Sequence, residues 1–156
     1  MSSRLLPAIA LLGLLGFGIS AYLTSVHYAR VPLACPQNAI VNCVQVTQSP
    51  YSLVPGTDIP ITVPGMLWFI ISGGLALWRM RPSRNPASVV TWAGLQLAFS
   101  AIGLLSALYL VFVEIVLLRQ ICEWCTAVHL LILLTFILAL VRFQGLLAAP
   151  GDIADH

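Results

Sequence analysis

The sequence contains no lysine and only five acidic residues, and charged residues make up 8% of its 156 positions. Soluble domains carry about 25% charged residues, so side chains this poor in charge cannot cover a water-facing surface. The seven arginines are scattered and the net charge is only +2, which gives no indication of a nucleic-acid partner. Because 60% of the residues are hydrophobic, we predict one integral membrane domain, residues 1–156, solvated mainly by lipid.

Long stretches without any charged residue give the candidate membrane spans. A spanning helix needs about 20 apolar residues, and four stretches of suitable length are separated by polar or proline-rich breaks: 5–26, 59–78, 87–113 and 124–141. The predicted fold class is therefore an all-α integral membrane protein, a four-transmembrane-helix bundle with a long outer loop between helices 1 and 2. The helices are predicted at about 5–27, 61–80, 87–118 and 124–143.

Two further expectations concern the helices themselves. The first stretch exceeds the roughly 7–15 apolar residues of a signal-peptide core, so we expect it to be retained as a helix. Small residues should let neighbouring helices approach closely, and the candidates are Gly13, Gly16, Gly73, Gly74, Gly94 and Gly103.

Arginine placement predicts the orientation. An even number of spans puts both termini on one side, which then carries Arg4, Arg79, Arg81, Arg84 and Arg142. The opposite side carries only Arg30 and Arg119. Cytoplasmic loops are enriched in Lys and Arg, so both termini are predicted to be cytoplasmic and the 28–58 loop and the 114–123 turn to face outward.

All four cysteines fall on the predicted outer side, where disulfides persist. Cys35 and Cys43 lie in the first outer loop, and Cys122 and Cys125 lie where the second outer turn enters the last helix. Residues three apart share a face of a helix, and a helix N-terminus favours thiolate over thiol. We therefore interpret Cys122-Glu-Trp-Cys125 as a redox pair that a lipid-soluble partner can reach. Structural disulfides and a zinc site are the alternatives, and an oxidising location disfavours zinc, so no metal is expected.

Several other side chains are candidates for a pocket inside the bundle. His129 lies one turn beyond Cys125, and an ionisable residue within a membrane is a functional candidate, although a helix–helix hydrogen bond is the alternative. Trp68, Phe69 and Tyr109 are either pocket residues or ordinary membrane aromatics.

The remaining polar and proline positions have simpler expected roles. Gln96 is expected to pack between helices, and Glu114 and Arg119 are expected to mark the outer interface. Segment 50–64 is expected to be a non-helical lid because of its prolines, Pro50, Pro55, Pro60 and Pro64.

The motifs together resemble the vitamin K epoxide reductase family over about residues 5–143. The resemblance rests on Cys35-Pro-Gln-Asn-Ala-Ile-Val-Asn-Cys43, Ser49-Pro50-Tyr51, Pro64-Gly65 and Cys122-Glu-Trp-Cys125. It implies a stand-alone bacterial-type member, without a thioredoxin-like domain of its own, in the bacterial inner (cytoplasmic) membrane. Such a protein takes electrons from a separate periplasmic thioredoxin-like (DsbA-like) partner, passes them to a quinone (ubiquinone or menaquinone), and so drives disulfide formation in exported proteins.

The resemblance also implies a role for each matching position. Cys35 would meet the external dithiol, Cys43 would exchange with Cys122, and Cys125 would engage the quinone. Ser49 matches the family's loop serine, and the predicted quinone-binding residues are His129, Ser49, Trp68, Phe69 and Tyr109. Vertebrate members have Tyr at the position of His129 and Asn near Ile61 and Thr62, so the resemblance implies quinone reduction rather than reduction of vitamin K epoxide.

Two other functions compete with this interpretation. A DsbB-type oxidase performs the same chemistry with four helices, but it carries Cys-x-x-Cys in its first outer loop and the spaced pair in its second, the reverse of the order here. The other alternative is a non-enzymatic four-helix membrane protein whose outer loops are stapled by structural disulfides. Quinone reduction by the purified protein would distinguish a quinone-linked thiol oxidase from this non-enzymatic alternative.

Overall fold

The computed structural model describes residues 5–31, 33–35, 38–81 and 86–148, and most of them are helical. Its α-helices are α1 (Leu5–Ala29), α2 (Cys43–Thr47), α3 (Thr62–Trp78), α4 (Pro86–Phe112) and α5 (Glu123–Ala148). A 3₁₀ turn covers Pro50–Ser52, and α4 continues directly into a π-helix over Val113–Leu118. The described ranges contain no β-strand, only two isolated bridges. The all-α prediction is therefore confirmed.

Three helices in the described part of the chain are long and apolar enough to cross a membrane. The first two are α1 and α5. The third is α4 with its π-helical extension, which together form one run of 32 residues from Ala87 to Leu118. The apolar helix α3 has 17 residues and is about 26 Å long at 1.5 Å per residue, which is shorter than a hydrocarbon core of about 30 Å. The structure is thus that of a membrane protein with three long apolar helices and a shorter fourth beside them.

The four longer helices pack in a ring in which α1 and α4 each contact both α3 and α5. Glycines permit the closest approaches. A Cβ atom on Gly13 would lie 2.9 Å from the Cα of Gly73, and Gly103 accommodates the indole ring of Trp68. Gly74, by contrast, has no neighbouring atom within 4 Å, so only some of the predicted glycines bring helices together.

Polar side chains add specific links between helices. The Gln96 side-chain amide donates a hydrogen bond to the Ser72 hydroxyl at 2.9 Å, which joins α4 to α3 and agrees with the packing role expected for Gln96. The hydroxyls of Thr24 and Thr62 lie 2.7 Å apart and join α1 to the start of α3. These bonds satisfy polar groups that would be costly to leave unpaired in an apolar interior.

The loop between α1 and α3, which is predicted to face outward, has more local structure than the sequence indicated. The Asn42 side chain accepts a hydrogen bond from the backbone N–H of Gln45 at 3.0 Å and caps the short helix α2. The expectation that residues 50–64 are non-helical is wrong at both ends, since a 3₁₀ turn begins at Pro50 and α3 begins at Thr62. Pro64 fits the first turn of α3 because N–H groups there have no partner within the helix.

Gly13→Ala should lower the melting temperature of the detergent-solubilised protein, because the added methyl group presses on the backbone of Gly73. Overpacking of this kind costs about 1–3 kcal/mol. Gly18→Ala is the matched control on the same helix, since no atom lies within 4 Å of the added carbon and alanine is the better helix former by about 1 kcal/mol. Equal melting temperatures for the two variants would contradict the close contact between α1 and α3.

Candidate functional site

A short backbone pairing joins the loop between α1 and α3 to the turn before α5. The N–H of Ile121 donates to the carbonyl of Ile40 at 2.9 Å, and the N–H of Asn42 donates to the carbonyl of Ile121 at 3.1 Å. Cys43 directly follows Asn42, and Cys122 directly follows Ile121. Both cysteine side chains have no exposed surface and belong to the same hydrophobic cluster. The pairing therefore brings together one cysteine from each sequence motif.

Two side chains near the Cys-Glu-Trp-Cys motif hold the same loop. The Trp124 indole N–H donates to the carbonyl of Ala34 at 3.0 Å, immediately before Cys35. The Gln120 amide donates to the carbonyl of Ala39 at 3.2 Å. The ring of Trp124 also lies 5.1 Å from that of Tyr22 on α1, measured between centroids. Trp124 and Gln120 thus hold this loop at two points, one just before Cys35 and one between Cys35 and Cys43.

The two cysteine pairs differ in redox state. Cys35 and Cys43 form a disulfide, whereas Cys122 and Cys125 are free thiols, the first buried and the second half-buried. Because two of the four sulfurs are joined to each other, the four cysteines do not form the tetrahedral thiolate site that structural zinc requires.

Cys122 occupies the N-cap position of α5. Its sulfur accepts a hydrogen bond from the backbone N–H of Cys125 at 3.3 Å, in the place where an N-cap oxygen usually accepts one. A hydrogen bond from the Cys125 thiol lowers the pKa of the Cys122 thiol most, burial raises it, and the backbone N–H of Cys125 lowers it further. The net shift of the Cys122 pKa is downward, so its thiolate is favoured, and the thiolate is the form that attacks disulfides.

A largely apolar cavity of about 280 Å³ lies among α1, α3, α4, α5 and the outer loop. Of the predicted site residues, Ser49, Trp68, Cys125 and His129 line it. Its volume is close to the lower end of the range for small-molecule sites, about 300–1,000 Å³. Part of the segment predicted as a lid also borders this cavity, namely Tyr51, Ser52, Pro60, Ile61, Thr62 and Pro64.

Two of the predicted pocket aromatics lie elsewhere. Phe69 is 1% exposed and packs in the helix interface, where Gly16 leaves room for its ring. Tyr109 is 57% exposed on the outer surface of α4. Neither belongs to the described lining of the cavity, because each points away from it on its helix. Trp68 does line it, and its indole N–H is held by the carbonyl of Phe99 at 3.2 Å.

Two polar side chains in the lining have unused hydrogen-bonding capacity. The buried Nδ1 of His129 has no hydrogen-bond partner in the described part of the chain. The Ser49 hydroxyl donates to the carbonyl of Val46 at 2.9 Å, which leaves its oxygen lone pairs as acceptors. A ligand hydroxyl can donate to the Ser49 oxygen, and Nδ1 of His129 can pair with a ligand carbonyl or hydroxyl according to its tautomer.

Glu114 is the residue that the sequence interpretation misplaced. It was expected to mark the outer interface with Arg119, and Arg119 is indeed exposed, but Glu114 is only 5% exposed. Its Oε2 accepts a hydrogen bond from the backbone N–H of Cys122 at 3.4 Å, and it lines the cavity. The available signal was a lone acid inside an apolar stretch that continues to Leu118. The π-helix over Val113–Leu118, which changes the direction of its side chains, was not visible in the sequence.

Comparison with known protein families matches residues 7–140 to the vitamin K epoxide reductase family. No curated protein matches the sequence closely enough to be counted as a relative. The matched region covers most of the chain and includes all four cysteines and every residue in the described lining of the cavity. The chain therefore belongs to the vitamin K epoxide reductase family.

Proposed function

We propose that this single-domain protein is a quinone-linked thiol oxidoreductase that oxidises a separate thioredoxin-like (DsbA-like) protein and so drives disulfide formation in exported proteins. The observation that carries the proposal is one continuous arrangement. It consists of the Cys35–Cys43 disulfide, the Cys122 and Cys125 thiols beside it, and a cavity that Cys125 lines. Family membership supports an enzyme of this class, because members are thiol oxidoreductases associated with quinones.

The proposed relay begins at the outer loop. A thiolate of the partner attacks the sulfur of Cys35 and releases Cys43 as a thiolate, and the partner's second thiol then resolves the mixed disulfide. The partner leaves oxidised, and Cys35 and Cys43 are left reduced. Cys35 is the sulfur for this encounter because it is partly exposed, whereas Cys43 is completely buried.

The second exchange takes place inside the hydrophobic cluster. The Cys43 thiolate attacks Cys122 in a Cys122–Cys125 disulfide and releases Cys125, after which Cys35 attacks Cys43 and restores the loop disulfide. The resulting Cys122 and Cys125 dithiol transfers two electrons and two protons to the quinone, which becomes the hydroquinone. The arrangement with a bonded loop pair and a free helix pair is the one that the proposed relay reaches just before quinone reduction.

The cavity supplies the proposed quinone site, with ubiquinone or menaquinone as the substrate. The unpartnered Nδ1 of His129 and the Ser49 hydroxyl are the proposed polar contacts, and the ring of Trp68 is the proposed apolar wall. Phe69 and Tyr109 are not proposed as contacts, because neither lines the cavity. With His129 and Ile61 where vertebrate members have Tyr and Asn, we propose quinone rather than vitamin K epoxide as the substrate.

The alternative of a non-enzymatic protein with stapled loops has less support. Only the outer-loop pair forms a disulfide, and the free Cys122 and Cys125 provide no staple. Buried thiols next to a disulfide and a cavity serve exchange chemistry rather than cross-linking. A DsbB-type enzyme remains disfavoured by the order of the cysteine motifs.

For the membrane arrangement we propose four spans in a bacterial inner membrane, with both termini cytoplasmic and the cysteines on the outer face. The short helix α3 packs along α1, and Arg79 and Arg81 follow its end, as expected for a cytoplasmic loop. A membrane-impermeant maleimide should label a variant that retains only Cys35 in intact spheroplasts. A cysteine-free variant carrying Met80→Cys, at an exposed loop position, is the control and should react only after lysis. The reverse pattern would contradict this topology.

Cys125→Ala should abolish quinone reduction by the purified protein, whereas His129→Phe should only slow it. A sulfur that exchanges electrons with the quinone has no substitute. One lost hydrogen bond costs about 0.5–1.5 kcal/mol, or roughly two- to twelvefold in rate. The measurement is quinone turnover with a dithiol reductant, and thiol titration should show that the Cys35–Cys43 disulfide is intact in both variants. Full turnover in Cys125→Ala would refute the assignment.

Cys35→Ala should accumulate a disulfide between Cys43 and Cys122. The substitution removes the partner of Cys43, while the hydrogen bonds between Asn42 and Ile121 still hold it beside Cys122. Digestion without reductant and mass spectrometry should detect a peptide pair joined through these two cysteines. The double variant Cys35→Ala, Cys122→Ala is the control and should lack it. Finding Cys43 free, or joined to Cys125, would mean that the proposed electron path is wrong.

A further inference from the structure

We propose that Glu114 transfers protons for the Cys122 and Cys125 pair, taking the proton of the Cys122 thiol as its thiolate forms and giving that proton to the quinone. This inference rests on the proposed quinone reduction and adds to it a residue that neither cysteine motif contains. Two-electron reduction of a quinone also consumes two protons, so the site needs a group that can hold a proton close to both sulfur and quinone.

The position of Glu114 fits this requirement on both sides. Toward the sulfurs, its Oε2 accepts a hydrogen bond from the Cys122 N–H at 3.4 Å. Toward the substrate, its side chain lines the same cavity as Cys125 and His129. It also lines, with His129, a second groove between α4 and α5. Glu114 therefore bridges the thiol pair and the proposed quinone site.

Ion pairing within the described cavity lining does not explain the burial of Glu114. It is 5% exposed, and the described lining of the cavity contains neither arginine nor a second acidic residue. A carboxylate in an apolar interior without a cationic partner is costly, and ionisable residues placed within membrane proteins at such cost usually serve function. A residue needed only to accept the Cys122 N–H would not have to be an acid.

Negative charges on Glu114 and on the Cys122 sulfur oppose each other. Like charges in a weakly polar medium repel, and the Glu114 carboxylate accordingly raises the pKa of Cys122. In the proposed step the site therefore holds one negative charge, either on Glu114 beside a Cys122 thiol or on the Cys122 sulfur beside a protonated Glu114. Moving one proton between the two groups switches between these states without changing the net charge of the buried site.

In the proposed step, the S–H bonds of Cys122 and Cys125 break and one S–S bond forms between the two sulfurs. The released electron pair reduces the quinone. One quinone oxygen receives the proton that Glu114 took from Cys122, and the other receives the proton of Cys125. Glu114 ends as the carboxylate with which it began, so it acts once in every turnover.

Other titratable groups that face the cavity are less suited to the task. His27 on α1 has its Nδ1 placed 3.3 Å from the carbonyl of Thr47, and Tyr51 lies in the outer loop. His129 on α5 is the proposed carbonyl contact. Of the cavity-lining groups, only Glu114 and Cys125 have a described hydrogen bond with Cys122, and Cys125 is itself oxidised in the reaction.

The decisive variant is Glu114→Gln, because glutamine still accepts a hydrogen bond from the Cys122 N–H but cannot take a proton. We expect kcat for quinone reduction at neutral pH to fall by about 10²–10⁴-fold, the usual contribution of general acid–base catalysis, with KM for the quinone little changed. The rate should recover in part as pH rises, because Cys122 then ionises without help, although the proton that Glu114 delivers to the quinone is still missing. Asp58→Asn, at an exposed acid that is not part of the described cavity lining, is the control and should match the wild type.

Two further variants make the outcome decisive. Glu114→Asp retains the proton-accepting group on a shorter side chain, so it should give an intermediate kcat, and it replaces the glutamine variant if that protein does not fold. Glu114→Leu removes both functions. Wild-type rates at every pH in Glu114→Gln, or in Glu114→Asp and Glu114→Leu together, would overturn the proton-transfer role. So would a slow Glu114→Gln enzyme that high pH does not rescue.

The same assays separate this inference from the proposed function. Wild-type protein that reduces quinone through Cys125, together with a Glu114→Gln variant of normal activity, would overturn the role of Glu114 alone. Wild-type protein that does not reduce quinone at all would overturn the proposed function and, with it, the proton transfer that depends on it.

Discussion

The backbone pairing between the α1–α3 loop and the turn before α5 is the interaction on which the site depends. Ile121 forms hydrogen bonds with Ile40 and Asn42. Cys122 follows Ile121, and Cys43 follows Asn42. Two thiols that the chain places in different loops thereby enter one buried cluster. Without the pairing, the loop disulfide and the helix motif would be separate features, and no short path for exchange would connect them.

The pairing is effective because the groups around it are rigid and apolar. Trp124 and Gln120 hold the loop on either side of Cys35, so the loop's position is determined by the same segment that carries the second cysteine pair. Burial excludes water and outside thiols from Cys43 and Cys122, while Cys35 remains partly exposed. This graded access gives the proposed relay its order, from an external partner through the loop to the bundle.

The helical bundle contributes the other half of the site. Close contacts at glycine, such as Gly103 against Trp68, bring aromatic side chains inward, while the outer loop and the helices together enclose a cavity next to Cys125. The π-helix at the end of α4 brings Glu114 to the Cys122 N–H. A largely apolar cavity that a thiol, an acid and a histidine face together suits a substrate that accepts electrons and protons together.

Composition and charge spacing by themselves determined the class of this protein. An apolar chain with few charges has to form helices that satisfy their own backbone groups in lipid, so the helices could be located from uncharged runs, and the cysteine motifs indicated the family. What only the tertiary structure decided is which residues meet. Cys43 and Cys122 come together through hydrogen bonds between residues far apart in the chain, and the direction of Phe69, Tyr109 and Glu114 depends on helix packing and a local π-helix. Apolar side chains cover every face of such helices, because lipid accepts them on all sides. The sequence pattern therefore does not indicate which side chain points toward the site.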